Sequence, residues 1–433
     1  MERARSIAIE FRRSPALRTT IVFGLAGVGF VAANLILARV LPTLEYAVFA
    51  LVITFLNVGI PLAPLGADVV INRRAVARDG RLLVRALATS LAMALLVAGI
   101  AGRWYGLSAD LLVVIMVATT AGGVSYVAGS HFQSRRAFHI SLPLLQGVNF
   151  VMVAAALATW WLGWRDAAPA ILVIAGSYVV LALAGWRLLL RGESGALETT
   201  EPFLWTEALS CVGVTGVAIL LGQLERLLIP QLLTLEALAM YGVLAAIVGS
   251  TFRMLWMGVG YSLVPRLRAA ADTDERIRIF RRELQTVGFV VLIASAGIWV
   301  VTPPLVEWAL DGRYVLPAPL ILAALVNGVL KVGSAFGRAA ATALGDNRQL
   351  GRLNVLDGGA VALAVAGAAF GARWGLSGVL YGVALGWLSQ GVSAMWIAAP
   401  HLRQSGGVPP TDGRGGDDAS AHAAGPRPFA SVQ

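Results

Sequence analysis

Residues 219–268 read ILLGQLERLLIPQLLTLEALAMYGVLAAIVGSTFRMLWMGVGYSLVPRLR, two apolar helical runs parted by a short turn over 230–236. Glu225, Arg226 and Arg253 interrupt those runs. A charge held at mid-bilayer costs about 2.5–3.5 kcal/mol on insertion scales, so it belongs against a polar interior or a partner. The stretch therefore reads as the wall of a polar path inside a membrane.

The rest of the chain supports that setting. Its 433 residues are 58% hydrophobic and 13% charged, with a mean hydropathy of +0.75, too apolar for a soluble protein. Twelve apolar runs are long enough to cross about 30 Å of hydrocarbon as helices: 19–40, 46–70, 82–102, 109–130, 140–162, 169–190, 206–229, 237–263, 286–306, 315–340, 351–371 and 375–399. The expected fold is all-α, a polytopic membrane protein with two six-helix bundles related by a pseudo-twofold along the membrane normal. Residues 1–18 form a basic arm, 19–190 the first bundle, 191–205 a polar cytoplasmic linker, 206–399 the second bundle and 400–433 a disordered tail.

Basic residues set the orientation. With the N-terminus inside, 25 Arg fall on the inner side and only Arg39, Arg103, Arg165, Arg313 and Arg373 on the outer, so both termini are expected in the cytoplasm. The net charge of +10 is accounted for by this bias and by anionic lipid, without nucleic acid. Trp104, Trp160, Trp161, Trp164, Trp308 and Trp374 fall near outer ends, and Trp186, Trp205 and Trp396 near inner ones, as an interfacial belt requires. Cys211 is the only cysteine, which excludes an internal disulfide and a cysteine-based metal cluster. The Arg-rich start, without a short apolar region and cleavage site, is expected to carry no removable signal peptide.

Polar residues inside the apolar runs are the candidate site. On the second run Asn57, Pro61, Pro64 and Asp68 share a helical face, which fits either a bent, cavity-lining helix or a packing kink. On the tenth, Asn327, Lys331, Ser334 and Arg338 make a stripe at i, i+4, i+7 and i+11, and Lys331 is the only lysine in the chain. Lys331 is read either as paired structurally, with Asp357 of the eleventh run as the candidate, or as functional. Thr119, Thr120, Ser125, Gln146 and Asn149 suggest interhelical hydrogen bonds, His131 and His139 a solvated loop, and Gly378, Gly382 and Gly386 close helix packing. Residues 265–283 read as a basic cytoplasmic loop, and 302–317 as the longest outer loop, too short for a catalytic domain. Short likenesses between the halves, such as Thr43-Leu44-Glu45 and Thr234-Leu235-Glu236, suggest a parallel repeat.

Other chemistry is missing. There is no phosphate loop of the G-x-x-x-x-G-K-[ST] type and no His-Glu-x-x-His, and the dinucleotide-like run at 27–32 lies inside a membrane helix. The four histidines have no metal-ligand spacing. No enzyme activity, resident cofactor or metal is expected.

Ile36-Leu37-Ala38-Arg39-Val40-Leu41 with Glu45-Tyr46, Phe49-Ala50, Leu65-Gly66-Ala67-Asp68 and Asn72-Arg73 resembles the opening of the polysaccharide flippases, the Wzx-like O-antigen and exopolysaccharide exporters. Gln223-Leu224-Glu225-Arg226-Leu227, Tyr241, Leu263-Val264-Pro265-Arg266 and Thr342-Ala343-Leu344-Gly345 resemble later stretches of that family, although Glu225 stands where aspartate is usual there. These flippases share a superfamily with multidrug extruders and the lipid II flippase, whose two additional C-terminal helices have no counterpart here. The resemblance implies two bundles in a V around an alternately opening cavity in a bacterial inner membrane, with a polyprenyl-pyrophosphate-linked oligosaccharide as cargo. Polysaccharide polymerase, glycosyltransferases and membrane lipids would be partners. Arg226, Arg253, Lys331, Arg338, Asn327 and Asn57 would serve cargo, guanidinium groups suiting pyrophosphate. Glu225 is expected to pair with Arg226 or part from it as the bundles rock. Glu225, Asp68 and Asp357 would couple to a proton or sodium ion. A different exporter, a membrane glycosyltransferase or polymerase and a synthase scaffold are the alternatives.

Overall fold

The computed structural model describes residues 15–73, 80–135, 137–191 and 205–403. The arm up to residue 14, the linker at 192–204 and the tail from 404 lie outside the described residues. The fold is all-α, a polytopic membrane protein of twelve helical passes. The first half comprises α1 (Pro15–Val40), α2 (Thr43–Leu62), α3 (Ala67–Arg73), α4 (Gly80–Tyr105), α5 (Ala109–Ser134), α6 (Phe138–Leu162) and α7 (Ala168–Arg191). The second comprises α8 (Trp205–Leu232), α9 (Leu235–Leu244), α10 (Ser250–Ala269), α11 (Thr273–Leu310), α12 (Ala318–Leu344), α13 (Asn347–Gly371) and α14 (Gly375–Arg403). Twelve passes put residues 15 and 403 on one side, called the chain-end side; the other is the far side.

Each half packs around one helix. In the first, α5 touches α2, α3, α4, α6 and α7, and α1 lies along α6. In the second, α14 lies between α12 and α13, and α10 lies on α12. Lipid offers no hydrophobic drive for helix association, so small residues bring backbones close instead. Gly378 meets Gly371, Gly382 meets Gly367 and Gly386 meets Ala364 so closely that added Cβ atoms would overlap their neighbours. The spacing expected to mean close packing does so here.

The second pass breaks where its prolines fall. Pro61 sits in the last turn of α2; Leu65 (φ 47°) and Gly66 (φ 80°) then turn the chain into α3. Pro64 cannot donate a backbone hydrogen bond, which favours ending the helix there. The backbone of Ala208 on α8 occupies the place a Cβ on residue 66 would need, so glycine answers to both the turn and the close approach.

Several connections are tighter than the sequence suggests. The expected cytoplasmic loop over 265–283 is mainly helix: α10 runs to Ala269, Asp272 caps α11 by accepting from the Glu275 amide at 2.7 Å, and only 270–272 lie between. Charged residues make that segment look like a loop, yet such residues suit a helix protruding beyond hydrocarbon. The outer loop shrinks likewise, since helix continues to Leu310 through Pro303 and Pro304. On α9 the Thr234 hydroxyl caps Ala237 at 3.2 Å, so the turn over 230–236 reduces to 233–234. Asp346 and Gln349 form a reciprocal capping box that starts α13.

Other expectations are corrected by burial. His131 is buried, whereas His139 is exposed. Asn149 donates to Gln146 within its own helix, while Ser125 does reach across to the Leu144 carbonyl at 3.3 Å. Trp186 leaves the expected belt: it is buried, its indole donating to the Val124 carbonyl at 2.9 Å. Trp104, Trp160, Trp161, Trp308, Trp374 and Trp396 remain exposed.

Candidate functional site

The two halves meet chiefly through α2 against α8 and α9. At the far side a row of bonds closes the seam. Arg39 pairs with Asp311 at 2.9 Å, and Arg313 donates to the Leu41 carbonyl at 2.7 Å. The Tyr105 hydroxyl donates to the Leu227 carbonyl at 2.8 Å, and the Gln231 amide to the Trp104 carbonyl at 2.7 Å. Beneath them Tyr46 is fully buried, its ring against Gly242 of α9. On the chain-end side the halves touch where Gly66 meets Ala208.

Between these ends lies a recess of about 40 Å³, lined by Glu225, Tyr241, Phe252, Asn327, Gly328 and Lys331 among others. A π-helical turn, Ala245–Gly249, joins α9 to α10 along its edge. One extra residue in a turn rotates everything after it by about 100°. Side chains compensate the altered ladder: Ser250 donates to the Ala246 carbonyl at 2.6 Å and Thr251 to the Ile247 carbonyl at 3.3 Å. The turned helix seats Phe252 on Gly328 and presents Arg253 one residue on.

Glu225, on α8, is buried, with Asn327 Nδ2 donating to its Oε1 at 2.8 Å. Lys331 stands one turn beyond Asn327 on α12; its Nζ lies 5.0 Å from the Trp387 ring and 5.9 Å from that of Trp256. Glu225, Arg226 and Arg253 lie within electrostatic reach of that ammonium. The expected Lys331–Asp357 pair is therefore not formed. Asp357 faces Arg338 instead, with Nη2 to Oδ2 at 3.7 Å, near Gln390 at the contact of α12, α13 and α14. Arg338 thus stands outside the recess lining. Glu225 takes Asn327 as its hydrogen-bond partner, while the Arg226 guanidinium reaches across the seam to the Phe30 ring of α1, 6.0 Å away.

Arg253 keeps an exposed side chain within electrostatic range of Arg226. Tyr126 of α5 lies within electrostatic range of both Arg253 and Asp68 of α3. Asn57 stays apart from the recess lining; its buried Nδ2 has no hydrogen-bond partner. Of the sequence candidates, the structure gathers Glu225, Arg226, Arg253, Asn327 and Lys331, places Asp68 within electrostatic range of Tyr126, and leaves Asn57, Arg338 and Asp357 elsewhere. Sequence reading missed Tyr126, Tyr241, Trp256 and Trp387. For the two indoles a signal existed: they fall mid-run, away from the interfacial positions where tryptophan ordinarily concentrates. Among the described residues no group of three or more His, Cys, Asp or Glu could hold a metal ion.

No protein-family model matches this chain, and no curated protein matches it. Solved structures do. The chain aligns with an inward-facing multidrug resistance MATE family transporter of the MOP superfamily at a TM-score of 0.61 and 14% identity, over 88% of this chain and 94% of that one. It aligns with the eukaryotic MATE transporter AtDTX14 at 0.55 and 14%, over 89% and 96%. With the lipid II flippase MurJ in an inward closed conformation the values are 0.55 and 10%, over 87% and 86%. At such identities the likeness is one of fold.

Proposed function

We propose that this chain, built on the fold that MATE transporters share with MurJ, is a membrane transporter that moves an anionic amphiphile across the bilayer by alternating access. The cargo class proposed is a polyprenyl-pyrophosphate-linked oligosaccharide, as in the Wzx-like flippases the sequence resembles. The observation that carries this reading is the charge of the central cleft: Arg226, Arg253 and Lys331 converge there within reach of one another, with Glu225 as the nearby acid. Converging like charges repel, and they are strongest in a low-dielectric setting, so the arrangement favours a polyanion that neutralises them. Arg226 and Arg253 supply planar donors suited to phosphate oxygens. Lys331, enclosed by indole rings, contributes mainly its field.

The positive-inside bias supports a cytoplasmic chain-end side. In that orientation the bonded far side is the outer gate, closed here, and cargo enters from within. Opening it exchanges bonds to carbonyl oxygens for bonds to water, at about 0.5–1.5 kcal/mol each. Asp68, which like Arg253 lies within electrostatic range of Tyr126, is proposed as the residue through which a proton or sodium ion would sense cargo. The polymerase and glycosyltransferases proposed as partners would act on cargo before and after the crossing.

The test is movement of a fluorescent polyprenyl-pyrophosphate oligosaccharide across proteoliposomes. Wild type should translocate it, and Arg253→Ala, with folding intact, should not. Failure of folded wild type across several sugar heads and imposed ion gradients would sink the reading. A second reading, export of a smaller organic anion, draws on the MATE-type fold and predicts uptake of water-soluble anions by the same vesicles.

A further inference from the structure

Lys331 raises a question that an anion-binding role does not answer. Although Arg226 and Arg253 act on it from farther along the cleft, its ammonium is set among groups that suit a cation. Glu225, 3% exposed, supplies a carboxylate. Asn327, 7% exposed, holds that carboxylate through Nδ2, while its own Oδ1 is buried without a hydrogen-bond partner. Trp387 and Trp256 turn their ring faces to Nζ at 5.0 and 5.9 Å and stand at 69° to one another, two sides of an aromatic cage. A carboxylate and indole faces are groups by which proteins recognise organic ammonium ions. Most of these groups come from different helices, α8 for Glu225, α10 for Trp256 and α14 for Trp387, so the pocket is a tertiary construction rather than a local accident.

We infer that the surroundings of Nζ, between the recess and the two indoles, are an organic-ammonium site occupied by the chain's own Lys331, which makes this lysine the residue that excludes cationic cargo from the cleft. Glu225 serves as the tethered ammonium's counter-charge. Removing the tether leaves a vacant site for a primary alkylammonium of matching length. The inference concerns the same recess as the proposed transport, but it is read by binding alone, so either can fail without the other.

Shortening lysine to alanine removes three methylenes and the ammonium, the dimensions of n-propylammonium. The experiment measures thermal unfolding and tryptophan fluorescence of purified Lys331→Ala in detergent, titrated with n-propylammonium chloride against equal sodium chloride. The expected result is a saturable rise in melting temperature of about 2 °C, of the size that ligand linkage gives a large chain. A change in indole emission should accompany it, absent from wild type and from Lys331→Ala/Glu225→Gln. No response from folded Lys331→Ala, or an equal response from wild type, overturns the inference. Should Lys331→Ala not fold, Lys331→Met keeps the volume and deletes the charge. It should melt below wild type and regain stability when Glu225→Gln is added; a Lys331→Met protein as stable as wild type overturns the inference as well.

Discussion

The two halves use similar helical packing for opposite electrical purposes. Membrane-buried charge is concentrated in the second half, where Glu225, Arg226, Arg253, Lys331, Arg338 and Asp357 fall on four helices. The first half contributes to the seam mostly neutral groups, Tyr46, Phe30 and Tyr126, with Asp68 as its acid. The difference teaches that two bundles of similar build can divide buried charge and neutral packing surface between them. It also separates two kinds of buried cation. Lys331 and Arg338 stand two turns apart on α12, yet one faces the recess and the other is tied down at a helix contact.

That contrast can be broken at several points. The largest effect is expected at Arg253→Ala, since losing charge-assisted bonds worth about 1.5–3 kcal/mol should lower anion translocation about 10- to 100-fold in vesicles. Next, Asp357→Ala removes the carboxylate facing the Arg338 guanidinium and should cost about 1–3 kcal/mol of stability in a denaturation series. The double change Arg338→Met/Asp357→Leu should recover most of it, showing that this pair is structural; translocation by the double variant should then approach wild type. Gly66→Ala should cost about 1–3 kcal/mol from the positive φ, and more as Ala208 is displaced, measured the same way. The first half should respond less: Tyr126→Phe keeps the ring and removes only the hydroxyl within electrostatic range of Asp68 and Arg253, so a change in translocation of about 2- to 5-fold is expected. The smallest effect belongs to Arg39→Ala. Its pair with Asp311 is solvent-exposed on both sides and should be worth about 0–1 kcal/mol.

The sequence displayed the passes plainly because a membrane span demands a long uninterrupted apolar run. It displayed the polar stripe of α12 too, because Asn327, Lys331, Ser334 and Arg338 keep helical spacing. What it hid was long-range. Lys331 could be assigned to Asp357 by depth alone, but choosing between Asp357 and Glu225 requires knowing that α8 and α14 flank α12 where they do. The mid-run positions of Trp256 and Trp387 set them apart from interfacial anchors, but that both would meet Lys331 depends on how α10 and α14 pack on α12. The protruding start of α11 was mistaken for a loop because Arg276, Arg278, Arg281 and Arg282 end the apolar run without ending the helix. His131 and Trp186 fell near apparent run ends and were judged by position, whereas burial depends on which neighbours happen to extend equally far.

The far-side seam carries one more consequence. Three of its bonds accept at main-chain oxygens, those of Leu41, Trp104 and Leu227. Every residue type offers such an oxygen, so Arg313, Gln231 and Tyr105 ask nothing of the identity of the residue they grip. A seam fastened in this way can drift in sequence on its accepting side without loosening, and it leaves no trail of paired substitutions by which descent would betray where the halves are joined.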